Sequence, residues 1–451
     1  MTFDDLDIPD GWSVWTVESL IEKGIIEKPL DGNHGNIHPK SKDYVDNGIP
    51  FVMASDMENG EIDFKGCKKI TIEQAKTLKK GFAKAGDVLL SHKATIGRTA
   101  ILQEHNHDLV LLTPQVTYYR VKDFEKLNPI YLKTYFDSPK FQALFKLWAG
   151  DGSTRSYLGI TAQRKLPIVL PPVDVQNDIS KVIDNFNQKI STNLLMNATL
   201  EKIAQRIFKS WFVNFDPVKA NAEDLPFDGL SPEIQALFPN ELEESELGMI
   251  PKGWEVKSLD EIAHFLNGLA CQKHQPKDGE TPLPVIKIAE MRAGYQEKTN
   301  EASPSVDPKY IIQDGDFLFS WSGSLTTCFW SHGPGVLNQH LFKVTSEDYP
   351  KWFYSMWVNR HLAEFIRIAA DKATTMGHIK REHLSQAKVV VPNLEELISK
   401  GNDIFGPLIE RSNLCLTQAK TLMKVRDKLL PHLISGKITI QKAEELLEEA
   451  S

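Results

Sequence analysis

IPDGWSVWTVESL at residues 8–20 is answered 242 residues later by IPKGWEVKSLDEI at 250–262. Each copy is an Ile-Pro-x-Gly-Trp start followed by alternating apolar and polar residues, the pattern of a half-buried strand. Outward from this pair the correspondence continues in the same order. GDVLLSHKATIG (86–97) matches GDFLFSWSGSLT (315–326), and TPQVTYYRV around Gln115 matches LNQHLFKV around Gln339. STRSYLGITAQRKLPIVLPP (153–172) matches TTMGHIKREHLSQAKVVVPN (374–393). Each half then closes with a long helical pattern, 173–212 and 394 to about 434. Matches in one order define an internal repeat, which fixes the architecture before any single element does. The expectation is two pseudo-symmetric α/β domains, each followed by a long helix.

The helices carry the second signal. Ile183, Phe186, Ile190, Asn193, Asn197, Leu200, Ala204, Ile207 and Trp211 recur at alternating spacings of three and four, the seam of a coiled coil with two Asn in it. In the C-terminal helix, Phe405, Leu408/Ile409, Leu416, Ala419, Leu422/Met423, Leu430 and Leu433 share one stripe. Each seam occurs once per half, so the expected partner of one is the other, as an antiparallel two-helix coiled coil separating the domains. The resulting division is 1–172, a first α/β domain; 173–215, a central helical region; 216–249, an acidic linker; 250–393, a second α/β domain; and 394–451, a C-terminal helical region. Within the linker only SPEIQAL reads as a helix, capped by Ser231 and started by Pro232.

Composition bounds the function. The chain has 451 residues and a net charge of −8. Residues 216–247 hold one basic and nine acidic side chains, whereas 1–172 hold 22 of each and 248–393 hold 16 of each. The acidic excess therefore sits in one short segment, and two neutral domains rich in Lys and Arg can still present a basic face to phosphate. Four scattered cysteines without a CxxC pair point to a reducing cytoplasm and away from disulfides or a cysteine zinc site. No apolar run is long enough for a membrane helix, and the acidic start lacks a signal-peptide pattern.

Catalytic signatures are missing. There is no GxxxxGK[ST], no strand followed by GxGxxG and no GxSxG around Ser91 or Ser320. His34 and His38, like His105 and His107, lack a convincing third metal ligand. A recognition protein without a catalytic site or metal is the expectation.

The order of these segments resembles the specificity subunit of type I restriction–modification systems. The resemblance rests on the two domain starts, the two GDxLxS loops, LEKIAQRIFKSWFVNFDPVKA (200–220), KVRDKLLPHLISGKI (424–438) and the linker's SPEIQALFP and SELGMIPKGW. It covers essentially the whole chain. It implies two target recognition domains that read the halves of a split, asymmetric double-stranded DNA site, held apart by the coiled coil. It further implies two methyltransferase subunits carrying S-adenosylmethionine, two motor–nuclease subunits using ATP and Mg, no cofactor in this chain and a cytoplasmic, membrane-free location. A helix of 29 residues is roughly 43 Å long, comparable to the ~34–36 Å between successive major-groove faces on one side of DNA.

Base reading needs hydrogen-bonding side chains, and positioning needs Lys, Arg, Ser or Thr on phosphates. The first domain offers Lys40, His92, Lys93, Thr95, Arg98, Ser153, Thr154, Arg155 and Ser156 as DNA contacts. The second offers Lys287, Arg292, Trp321, Ser322, Ser324, Thr374, Thr375, His378, Lys380 and Arg381. Gln115 and Gln339 lie in apolar strands, which favours a buried structural amide over an adenine contact. The aromatics of FKSWFVNF leave two readings open. Trp211, Phe212 and Phe215 either dock a methyltransferase subunit or pack the helix on its neighbouring domain. A stand-alone two-headed DNA-binding protein is the alternative to the subunit reading.

Overall fold

The computed structural model describes residues 8–58, 60–150, 156–296, 298–371, 377–393 and 395–449. Two compact units result. One comprises 1–190 with 421–451, the other 191–420.

In the first unit Ser13–Thr16 pairs antiparallel with Pro167–Leu170, Ser13 opposite Leu170 and Thr16 opposite Pro167. This ribbon joins the domain's start to its end. Between the two strands lie two four-stranded sheets. One has the order Lys69–Ile70, Ile49–Val52, Val110–Leu112, Phe82–Ala83, and its central pair is parallel. The other has the order Leu30–Asp31, Val116–Tyr119, Val88–Ser91, Thr99–Ile101. Strand burial follows the sequence: Val88–Ser91 and Val116–Tyr119 are buried throughout, as apolar runs enclosed on both faces must be.

The second unit repeats the plan strand for strand. Its ribbon is Glu255–Ser258 with Lys388–Val391. Its sheets run Glu301–Ala302, Leu283–Ile286, Gly335–Leu337, Ile311–Ile312, again with a parallel central pair, and His264–Asn267, Leu341–Thr345, Phe317–Ser320, Thr327–Phe329. The two halves part company at the helix that follows. Lys351–Asp371 is continuous, whereas its counterpart breaks into Pro129–Asp137 and Pro139–Trp148. Ser138 caps the second piece and Pro139 opens it, because proline has no N–H to continue the first.

The long helices span Val173–Phe212 and Glu395–Ile434. Within the second unit they run antiparallel, since Ser412 hydroxyl donates to Asn197 Oδ1 at 2.6 Å while Trp211 and Phe208 meet Phe405 one end further on. A seam Asn thus finds a polar partner, which disfavours slipped registers that would strand it. In the first unit Arg426 donates to Asn187 Oδ1 at 2.7 Å. One position of the C-terminal stripe is corrected: Cys415 is fully buried and Leu416 only half-buried, so the thiol holds the seam.

Two further expectations change. The segment 216–249 is not a bare connector. It folds into a helix, Asp216–Ala222, the Ser231-capped turn Pro232–Gln235 and a hairpin of Leu242–Ser245 with Gly248–Pro251. Val218, Phe238 and Ile250 anchor it in the second unit's core. Trp211, Phe212 and Phe215 also belong to that core, none more than 9% exposed. Phe212 lies against Trp254, Trp352 and Phe353, and Trp211 meets Phe238 and Phe405 edge-on. Of the two readings of these aromatics, packing is the one realised, and the docking assignment is corrected. Burying such rings removes too much apolar surface from water for the helix end to do otherwise.

Phe212→Ala is expected to cost the second unit roughly 3–5 kcal/mol, the range for large-to-small aromatic truncation in a core. Urea unfolding of the full chain checks it. A loss below about 1 kcal/mol would return the ring to the surface.

Candidate nucleic-acid interface

Sheet register aligns the two halves residue by residue. Val116 stands opposite Ser91, and Leu341 opposite Ser320. Leu112 pairs with Val52, and Leu337 with Ile286. Thr113, Pro114 and Gln115 therefore correspond to Asn338, Gln339 and His340. Main-chain bonds agree: His92 N–H donates to the Gln115 carbonyl at 2.8 Å, and Trp321 N–H to the His340 carbonyl at 3.3 Å. The sequence pairing of Gln115 with Gln339 is thus off by one, because side chains at that turn do not repeat while the backbone does.

The same register equates Asp31 with Asn267, since Asp31 stands opposite Thr117 and Asn267 opposite Phe342. Each is followed by a glycine in tight contact with the crossing strand. A Cβ on Gly32 would lie 2.0 Å from the Leu112 carbonyl oxygen, and one on Gly268 2.3 Å from that of Asn338. Only glycine fits a backbone approach this close.

Around these glycines each half builds a polar cluster. In the first, Asp31 is buried and paired to Lys80 and to His34 Nε2 (2.6 Å). Burial pushes the Asp31 carboxyl up, but the bonds from Lys80 and His34 outweigh it and the net shift is downward. His92 is wholly buried; its Nδ1 donates to the Leu158 carbonyl at 3.1 Å, while Nε2 has no hydrogen-bond partner among the described residues and lies 3.9 Å from Asp31 Oδ2. Burial pushes the His92 imidazole down to about 4. In the second half Trp321 takes the place of His92, and its Nε1 donates to Asn267 Oδ1 at 3.0 Å and to the Gln339 carbonyl at 3.2 Å.

The loops beyond are held alike. Ser91 Oγ accepts from Arg98 N–H and Ser320 Oγ from Thr326 N–H, both at 2.8 Å, so these serines are loop clamps. Lys93 then bridges to Tyr157 and Ser322 to His378. Lys93, Thr95, Tyr157, Ser324 and His378 are exposed. A cleft of about 290 Å³ in the first unit is lined by residues including His34, His38, Tyr44, Lys93, Thr113 and Gln115.

Not every expected contact faces solvent. His92 and Ser322 are corrected: the first is enclosed as described, and the Ser322 hydroxyl, 5% exposed, is bonded to His340 Nδ1 at 2.9 Å. Trp321 is half-buried on the core. Arg98 remains exposed, but its Nη1 ties down the carbonyls of Ala54, Ser55 and Met57 at 3.1–3.3 Å. Arg381 Nη2 reaches the Phe265 carbonyl at 3.5 Å, and Lys287 donates to Asn300. Lys40, Arg292 and Lys380 are exposed, and Ser156 and Lys287 half-buried. Ser153, Thr154, Arg155, Thr374 and Thr375 lie outside the described residues. Neither Gln115 nor Gln339 is buried; both are half-exposed, so the buried-amide expectation is corrected as well. Sequence reasoning missed Asp31, His34, Tyr157 and His340. The repeated Asp31-Gly32 and Asn267-Gly268 dipeptides were the available signal for Asp31.

The fold and these paired clusters define a repeat protein with two α/β domains of one plan. A family model for the type I restriction modification DNA specificity domain matches residues 9–203 and 251–408, and the chain belongs to that family. It is 24% identical to the type I restriction enzyme MjaIX specificity subunit of Methanocaldococcus jannaschii, covering 96% of this chain and 95% of that one. It is also 24% identical to the HindI specificity subunit of Haemophilus influenzae, over 86% and 94%. The crystal structure of a type I restriction–modification S subunit from M. genitalium shares the fold, with a TM-score of 0.57 at 11% identity over 96% of this chain and 98% of that one.

The buried His92 gives a pH prediction. Its folded value of about 4 lies below the usual ~6.5, so the unfolded chain binds the proton more readily. Stability of the first unit is unaffected above pH 6.5 and declines as pH falls from there towards 4, by up to roughly 3 kcal/mol. The slope should be shallower in His92→Asn, as urea titrations at pH 7 and pH 4.5 test. Equal slopes would mean the imidazole is solvated.

Proposed function

We propose that this chain reads a bipartite, asymmetric DNA target, one half-site per α/β repeat, and is the non-catalytic specificity subunit of a type I restriction–modification enzyme. The observation that carries this is the register match: one backbone cradle occurs twice, bearing different exposed side chains each time. Two readers with common geometry and different chemistry suit a target whose halves differ in sequence. S-adenosylmethionine and the methyl-transfer chemistry then belong to two methyltransferase subunits, and ATP with Mg to two motor–nuclease subunits; this chain contributes no cofactor site.

Partner docking cannot use Trp211, Phe212 and Phe215, which are spent in the core. The helices offer other apolar residues. Leu195 is 69% exposed, and Met196, Ile203 and Leu414 are 38–46% exposed. Apolar side chains left in water on a pair of long helices favour a protein partner.

Co-expression with the neighbouring methyltransferase in a methylation-free host, followed by genome-wide mapping of modified adenines, tests the reading. A split motif that vanishes without this chain is expected. Adenine methylation independent of the chain, from a folded methyltransferase, would leave a stand-alone DNA-binding protein. For docking, Leu195→Asp with Ile203→Glu should weaken methyltransferase capture at least tenfold while changing stability by less than about 0.5 kcal/mol. Undiminished co-purification would remove this face from consideration.

A further inference from the structure

We propose that the first unit's cleft reads a purine edge through Lys93 and Gln115, and that His340 is the register-matched base reader of the second half. This rests on the DNA-recognition reading above. The cleft is a built site. Thr113 lines it, is only 3% exposed, and its hydroxyl has no partner among the described residues. A buried hydroxyl left unpaired forfeits its hydration without return, a loss that a ligand's polar edge would relieve. The equivalent position in the second half, Asn338, is already engaged, accepting from His340 N–H at 3.3 Å.

Chemistry selects the ligand. Lys93 is exposed at the cleft's edge, its ammonium 5.9 Å from the Tyr157 ring centroid, and it supplies donors only. The half-exposed Gln115 amide supplies one donor group and one acceptor group side by side. Lysine complements the two acceptors of guanine in the major groove, and glutamine the acceptor–donor pair of adenine. Both are purine edges. In the second half His340 is fixed instead by Ser322 at Nδ1, which turns Nε2 towards the Gln339 side chain, 3.4 Å away. The main-chain bonds that equate Gln115 with His340 place the two side chains at the same point of the cradle.

The test is selection from a randomised duplex library by the full-length chain in complex with its methyltransferase partner. The wild type should enrich a split motif with a purine at a position that Lys93→Ala or Gln115→Ala flattens at least tenfold, the other half-site staying sharp. His340→Ala should flatten the other half-site only. Gln115→Glu keeps the side chain's shape but offers acceptors alone, so it should move the preference towards cytosine. A sharp wild-type motif left unchanged by these variants overturns the assignment, as does a fall of the same factor on every sequence, down to background included. A wild-type complex that enriches no split motif fails at the DNA-recognition reading itself.

Discussion

Each half depends on one backbone constraint: the strand that begins the domain is hydrogen-bonded to the strand that ends it. Ser13–Thr16 lies on Pro167–Leu170, and Glu255–Ser258 on Lys388–Val391. The pairing satisfies polar groups that would otherwise be stranded beside the core. It also places the end of each domain directly before a long helix, at Val173 and Glu395. A helix entered from a paired strand has a fixed point of departure, which a helix entered from a loop lacks. The conserved wording of the two starts and two ends in this one chain is the sequence imprint of that ribbon.

Inside the ribbon the backbone is held by elements that tolerate little change, and the surface is not. Gly32 and Gly268 permit a strand crossing that any side chain would block. Ser91 and Ser320 close equivalent loops through equivalent bonds. On this shared backbone the side chains diverge: buried His92 stands where half-buried Trp321 does, exposed Lys93 where buried Ser322 does, and half-exposed Gln115 where His340 does. The backbone bonds that fix these positions repeat, while the side chains they carry do not.

The second unit carries its helices on an aromatic core. Phe405 stacks on Trp352 at 4.4 Å, with Gly401 making room for the indole, whose N–H is satisfied by Asn402. Phe208, Trp211 and Phe212 enter the same cluster from the other helix. The acidic segment after Phe215 wraps onto it through Val218, Phe238 and Ile250. Its charge remains on the outside, which explains how a stretch reading as a linker is part of a folded unit.

The architecture was legible because repetition and periodicity are properties of the chain itself. Two matched starts, two matched ends and two heptad seams required no coordinates. The site was legible only in outline. Loops 86–97 and 315–326 were located from sequence, but burial separated exposed Lys93 and Thr95 from enclosed His92 and Ser322, and burial depends on what packs above a residue. The Gln115–Gln339 match failed for a related reason: identity of letters competes with identity of register, and hydrogen bonds between strands decide register. Likewise, an aromatic run at a helix end is the same sequence whether it meets a partner or its own domain. The sequence by itself determined the repeat, the seams and the order of elements, since these follow from local spacing. Only the tertiary structure decided which polar groups face outward, which residue of one half stands for which of the other, and where Trp211, Phe212 and Phe215 are spent, since each depends on contacts between residues far apart in the chain.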